Sequence, residues 1–323
     1  MRAFGVKLFT VAAVILLITG IIEVLSFDDD YSMPIAKLTE SDTYLTHMDG
    51  PDWIVPLIEK VSEEDGSHVL LVGDSVCRQM FIDLMDINKE TCVAPAISPF
   101  GMCGQYVLVK RYLDSHPDAT DVYLMMVPMG DVSQDFSIEY GYQYVVMPLV
   151  ETDLLDMLDE DTIDELRYLF GEWFMKPSVV RRIDNSGLNR KLYLNYIKVY
   201  RKNDYEHTLE NSVYIKYLKR IRVLCDERSV KLHFLSDPIP DTDLYHDIVE
   251  VQVPQLFSET GLDEMFPEYL RSVRFYPEEL FEGVHFKGKY DNRGNYDKII
   301  REMYTDYGLM EVLQFGENGN LLY

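Results

Sequence analysis

The chain has 323 residues and is 47% apolar, enough to bury a substantial core as one large domain or one domain with an insertion. A net charge of −25 excludes a nucleic-acid partner, because a phosphate backbone needs a basic surface, and equally excludes docking on anionic lipid through a basic face. Cys77, Cys92, Cys103 and Cys225 do not make a disulfide scaffold at this length, no CxxC or Cys/His cluster suggests zinc, and no cofactor is expected.

Residues 8 to 22 carry no charge and approach bilayer-spanning length. Arg2 and Lys7 precede them, and Asp28, Asp29 and Asp30 follow, so the positive-inside rule places the rest of the chain outside the membrane. The expectation is an uncleaved signal-anchor helix over 1–27, a single-pass protein of the cell membrane with its N-terminus cytoplasmic. A signal peptide cleaved after Ser26 is the alternative. Residues 28–66 are acidic and broken by Pro34, Pro51 and Pro56, which reads as a stalk with a short helix at Trp53 to Val61.

The main domain is expected over 67–323. His68 to Val72 reads as the first strand, and Met80, Phe81, Leu84 and Met85 recur at helical spacing, giving a helix over Val76 to Asp86. A second strand is read at Thr91 to Ile97, an amphipathic helix at Gln105 to Ser115, and a third buried strand at Asp121 to Val127. Strand, helix, strand, helix, strand at this spacing indicates βαβ units, a parallel sheet and strand ends on one edge. From about 130 to 229 helical periodicity dominates, which predicts a helical insertion whose last helix, about Ser212 to Arg228, rejoins the sheet. Lys231 to Leu235 is the fourth strand, 246–258 and 262–270 are not assignable, and Asn295 to Tyr307 is a terminal helix.

The chemistry concentrates in two places. Val69 to Val72 ends at Gly73-Asp74-Ser75, a serine presented on a turn at the carboxyl end of a strand, although the triplet alone also suits a turn and helix cap. Serine is a poor nucleophile at neutral pH and needs a neighbouring base, usually a histidine held by a carboxylate. His285, in a glycine-containing loop three residues after Glu282, has the best context of the seven histidines. His233 reads as a core histidine, whereas His47, His116, His207 and His246 read as solvated. Asp74 reads as a cap of the helix after Ser75, and Cys92 with Cys103 as either a disulfide or two buried thiols.

Gly73-Asp74-Ser75 after the first strand, with an acidic residue three before a histidine near the end, resembles the SGNH (GDSL) hydrolase superfamily over residues 68–128 and 231–307. Gly104-Gln105-Tyr106 and the N-terminal anchor are similar to the membrane-anchored members that serve cell-envelope polysaccharide O-acylation, of the D-alanyl-lipoteichoic-acid transfer and alginate O-acetylation type. The resemblance implies a flavodoxin-like three-layer αβα sandwich with a mostly parallel sheet, and a catalytic set of Ser75, His285 and Glu282. It also implies an oxyanion hole drawn from Ser75, Gly101 and Gly104. Where the superfamily carries a block-three asparagine this chain has Asp131, and its usual aspartate is here Glu282. The expected function is an extracytoplasmic serine esterase or O-acyltransferase acting through an acyl-enzyme on an acyl ester of a surface glycopolymer. The expected partners are the acylated polymer or acyl donor and a membrane-bound O-acyltransferase. The alternative is a non-catalytic module of the same fold that binds polysaccharide or the acyltransferase.

Overall fold

The structure is a computed structural model that describes residues 9–11, 13–15, 17–18, 20–21, 50–81, 90–130, 132, 136–138, 140–184, 192–193, 196–197, 209 and 212–287. Asp131, His47, His207, the stretch 28–49 and the expected terminal helix at 295–307 lie outside these residues. Within 9–21 the described residues are helical, and among the described residues no helix is long and apolar enough to cross a membrane. The chain divides into two compact units, one holding residues 1–52 and 138–204, the other 53–137 and 205–323.

The second unit is α/β. Helix α1 (Gly50–Ser62) buries Ile54, Leu57, Ile58 and Val61, an i, i+3, i+4, i+7 stripe that turns its tail into a core layer. Pro56 sits in this helix without ending it. Strand β1 (Val69–Gly73), helix α2 (Ser75–Phe81), strand β2 (Thr91–Val93), helix α3 (Gly101–Ser115) and strand β3 (Asp121–Met126) follow. After the other unit come helix α4 (Val213–Glu227) and strand β4 (Lys231–Ser236).

The four strands form a sheet in the order β2-β1-β3-β4, every pair parallel. β1 is buried along its whole length, which explains a sequence apolar at successive positions rather than alternating: a parallel strand is covered on both faces. The chain leaves β1 toward β2 on one side and β3 toward β4 on the other. The carboxyl ends of β1 and β3 therefore flank the switch point where open α/β sheets bind ligands.

Several expectations needed correction. The second strand ends at Val93, not Ile97: Ala94 and Ala96 still donate to the Leu71 and Gly73 carbonyls of β1, but Pro95 between them has no N–H to extend the ladder and Pro99 turns the chain away. The third helix begins at Gly101 and is buried through Val109 apart from its first residue, so its amphipathic reading understated its burial. His116, expected in solvent, is buried at the C-cap of α3. Its Nε2 lies 3.0 Å from Asp65 Oδ1, its Nδ1 3.0 Å from the Tyr112 carbonyl, and its ring stacks on Tyr112. Cys92 and Cys103 are buried thiols, and burial pushes Cys92 up to about 12.

The 246–270 stretch proves helical: Asp243–Asp247 runs through a π-helical turn, Ile248–Gln252, into helix α5 (Val253–Thr260). Its mixed pattern follows from that geometry, since a π turn shifts the 3.6-residue period. Beyond it, β5 (Ile239–Pro240) pairs in parallel with β6 (Phe275–Tyr276), and β7 (Phe281–Glu282) pairs antiparallel with β8 (His285–Phe286).

The first unit is helical over its described residues. Helix Glu160–Phe170 starts at Asp159, whose carboxylate accepts from the Thr162 N–H, and stops at Gly171 with φ 87°. Its aromatics pack on one another: Tyr142 stands edge-on to Tyr193 at 4.5 Å, and the two hydroxyls donate to the Phe174 and Phe170 carbonyls at 2.8 Å. The aromatic content there is core packing.

Candidate active site

Ser75 is the first residue of α2, two residues past the end of β1. The turn that presents it is built by Asp74. Its N–H donates to the Met125 carbonyl, its Oδ1 accepts from the Val76 N–H at 2.8 Å, and its Oδ2 accepts from the Val127 N–H at 2.8 Å. Asp74 thus caps α2 and ties the end of β1 to the end of β3. Gly73 is required by proximity: a Cβ there would strike the Met125 carbonyl and the Cys77 side chain. The Gly73 carbonyl accepts from the Gln105 side chain at 2.9 Å and from the Ala96 N–H at 2.9 Å, which locks the turn against α3 and the segment after β2.

A second carboxyl lies beneath that turn. Asp237, just past β4, is fully buried, with the Asp74 carboxyl and the Cys77 N–H as its polar neighbours. Burial pushes Asp237 well above the usual carboxylate range, and the neighbouring Asp74 charge pushes it further. Burial also raises Asp74, opposed by the Val127 and Val76 N–H bonds. These bonds favour the charged form of Asp74 over that of Asp237, whose pKa is the further raised of the two.

His285 arrives from the β7–β8 hairpin. Gly283, at φ 62°, supplies the left-handed residue of its two-residue turn. Phe281 and Phe286 stack at 4.6 Å and bury into the cluster of Val76, Met80 and Phe81, so one face of α2 seats the hairpin. Gln79, one turn after Ser75, clasps it: the Phe286 N–H donates to Gln79 Oε1 at 3.0 Å, and Gln79 Nε2 donates to the Phe286 carbonyl at 3.5 Å. The result is a His285 Nε2 to Ser75 Oγ distance of 2.8 Å across 210 residues of sequence.

The other predicted residues fall as follows. Glu282 is exposed and directly opposite His285 in the hairpin register, and no hydrogen bond joins the two side chains among the described residues. Gly101, at φ 67°, donates its N–H to the Ser98 carbonyl, so that donor is committed. Gly104 has a packing reason to lack a side chain, because a Cβ would run into the Phe100 ring.

Sequence reasoning missed Ser98, whose Oγ lies 3.0 Å from Ser75 Oγ. Its only sequence signal was its place in the Ser98-Pro99-Phe100-Gly101 turn before α3. Gln79 was missed because it reads as an ordinary polar position on a helix.

The arrangement can transfer the Ser75 proton to His285 and hold Ser98 O–H beside the same oxygen, the geometry of general-base activation. No protein family model matches this chain, and no curated protein matches it. A solved structure described provisionally as a platelet activating factor from Streptococcus pneumonia is similar at a TM-score of 0.33 and 12% identity. The likeness covers 81% of this chain and 96% of that one, and at that score it bears on neither fold nor chemistry.

Proposed function

We propose that this protein is a serine esterase or O-acyltransferase of the SGNH kind, with a flavodoxin-like three-layer sandwich. The observation that carries the reading is the 2.8 Å approach of His285 Nε2 to Ser75 Oγ at the carboxyl edge of a parallel sheet. In the acylation step Ser75 Oγ bonds to the ester carbonyl carbon and its proton passes to His285 Nε2. The tetrahedral intermediate then collapses, the C–O bond to the alcohol breaks, and His285 returns the proton to the leaving oxygen. Water or a second hydroxyl repeats the sequence in reverse, giving hydrolysis or transfer.

Glu282 is the carboxylate proposed to orient His285. Directly paired residues on a hairpin project from the same face with Cβ atoms about 5 Å apart, so a rotamer change brings Glu282 to the imidazole. Ser98 is the hydroxyl proposed to donate to the developing oxyanion, taking the place of the asparagine for which this chain has Asp131.

The apolar segment at 8–22 with its flanking charges supports an anchored, extracytoplasmic site, and with it a surface glycopolymer as substrate and a membrane-bound O-acyltransferase as partner. The missing hydrogen bond between Glu282 and His285 among the described residues favours a second reading, a non-catalytic glycan-binding module.

One experiment separates the two. A fluorophosphonate probe is expected to label the wild-type chain at Ser75 and to spare Ser75→Ala, with ester turnover lost in parallel. Labelling that survives in Ser75→Ala, or absence of any adduct, refutes the esterase reading.

A further inference from the structure

A cavity of about 200 Å³ opens beside the nucleophile. It runs from the carboxyl ends of β1 and β3 to the N-terminal ends of α3 and α4, all within the α/β unit. Met102, Met126, Val127, Met129, Val132 and Phe136 supply its apolar wall. Ser98, whose Oγ is 3.0 Å from Ser75 Oγ, stands at the boundary between cavity and nucleophile. Asp74 also lines it, but both Asp74 oxygens are engaged by the Val76 and Val127 N–H groups.

From this we infer that the cavity is the acyl-chain pocket of the proposed ester reaction, and that its occupant is an unbranched aliphatic acyl group of medium length. The inference rests on Ser75 being the nucleophile. Its own content is the chain length. An apolar cavity of about 150 Å³ stays dry and holds a benzene-sized group of six carbons. The present cavity is somewhat larger, so about six to eight methylene-sized units fill it, whereas an acetyl group leaves most of it empty.

Three methionines in one wall suit a flexible chain, because an unbranched thioether side chain repacks around an irregular apolar ligand. A sugar does not suit it: each buried hydroxyl needs a partner, and apart from Asp74, Ser98 and Tyr214 the side chains that line it are apolar. The glycan or alcohol portion of the substrate therefore stays on the exposed side, where His285 stands.

The test uses the whole chain and a series of p-nitrophenyl esters from acetate through hexanoate to hexadecanoate. Wild-type kcat/KM is expected to rise from acetate to hexanoate or octanoate by about tenfold or more, and to fall again for hexadecanoate. Met129→Trp, which narrows a partly exposed wall position, is expected to lower the hexanoate-to-acetate ratio by about tenfold. Met102→Ala, which enlarges the cavity, is expected to move the optimum to a longer chain.

A ratio of specificity constants does not depend on the fraction of folded enzyme, so partial misfolding of a variant leaves the readout intact. Preference for acetate, or an unmoved ratio and optimum in the two variants, overturns the pocket while fluorophosphonate labelling of Ser75 leaves the nucleophile standing. Absence of both labelling and turnover overturns the two together.

Discussion

At the scale of single residues, the candidate site sets one base and one hydroxyl against a single oxygen. Ser75 Oγ has His285 Nε2 at 2.8 Å and Ser98 Oγ at 3.0 Å. With Ser98 as the proposed donor to the developing oxyanion, removing that donor costs about 10²- to 10³-fold in kcat. Ser98→Ala is expected to lower kcat for a chromogenic ester by about that factor with little change in KM, and Ser98→Thr to recover part of it.

Asp237 gives a prediction of a different sort. Its folded pKa lies well above the unfolded value, so between the two the folded state binds more protons and stability falls as pH rises. Asp237→Asn removes that liability while keeping an N–H₂ to donate to Asp74. Urea unfolding is expected to show the variant gaining on the wild type as pH rises above the ordinary carboxylate range. A constant difference over that rise refutes the raised Asp237 pKa.

At the scale of elements, one short helix organises both halves of the site. α2 carries Ser75 at its start and seats the His285 hairpin on Val76, Met80 and Phe81, with Gln79 fixing the backbone of Phe286. Neither Gln79 bond reaches the reacting atoms, so Gln79 is a positioning residue. Gln79→Ala is expected to cut kcat by about tenfold to a hundredfold while KM holds, since a displacement of about 1 Å at a reacting pair costs that much. Gln79→Glu keeps the acceptor for the Phe286 N–H and is expected to retain more activity than the alanine variant. Equal loss in both variants refutes a role through that hydrogen bond.

At the scale of the whole molecule, the strand order places the ends of β1 and β3 side by side at the switch point. Ser75 follows from the first, and the Val127 N–H that fixes Asp74 follows from the second. The four sheet strands were legible in the sequence to within a residue at most ends, because interior parallel strands are continuous apolar runs with nothing else to explain them. The 246–270 stretch was not, since its π turn breaks the periodicity on which the reading depends.

For the site, the serine on its turn and the histidine three residues after an acid are local patterns, and sequence alone marked both Ser75 and His285. Their approach across a sequence separation of 210 is a product of the sheet, of Gln79 and of two stacked phenylalanines, none of which has a local signature. Ser98, the Met-lined cavity and the buried Asp74 and Asp237 pair belong to the same class. Each joins segments far apart in the chain, and only packing determines which side chains meet there. What the chain determines locally is therefore the identity of its reactive groups. Their alignment, their donors and the volume beside them are set by tertiary structure, because hydrogen-bond reach and cavity shape depend on atoms that sequence spacing does not relate.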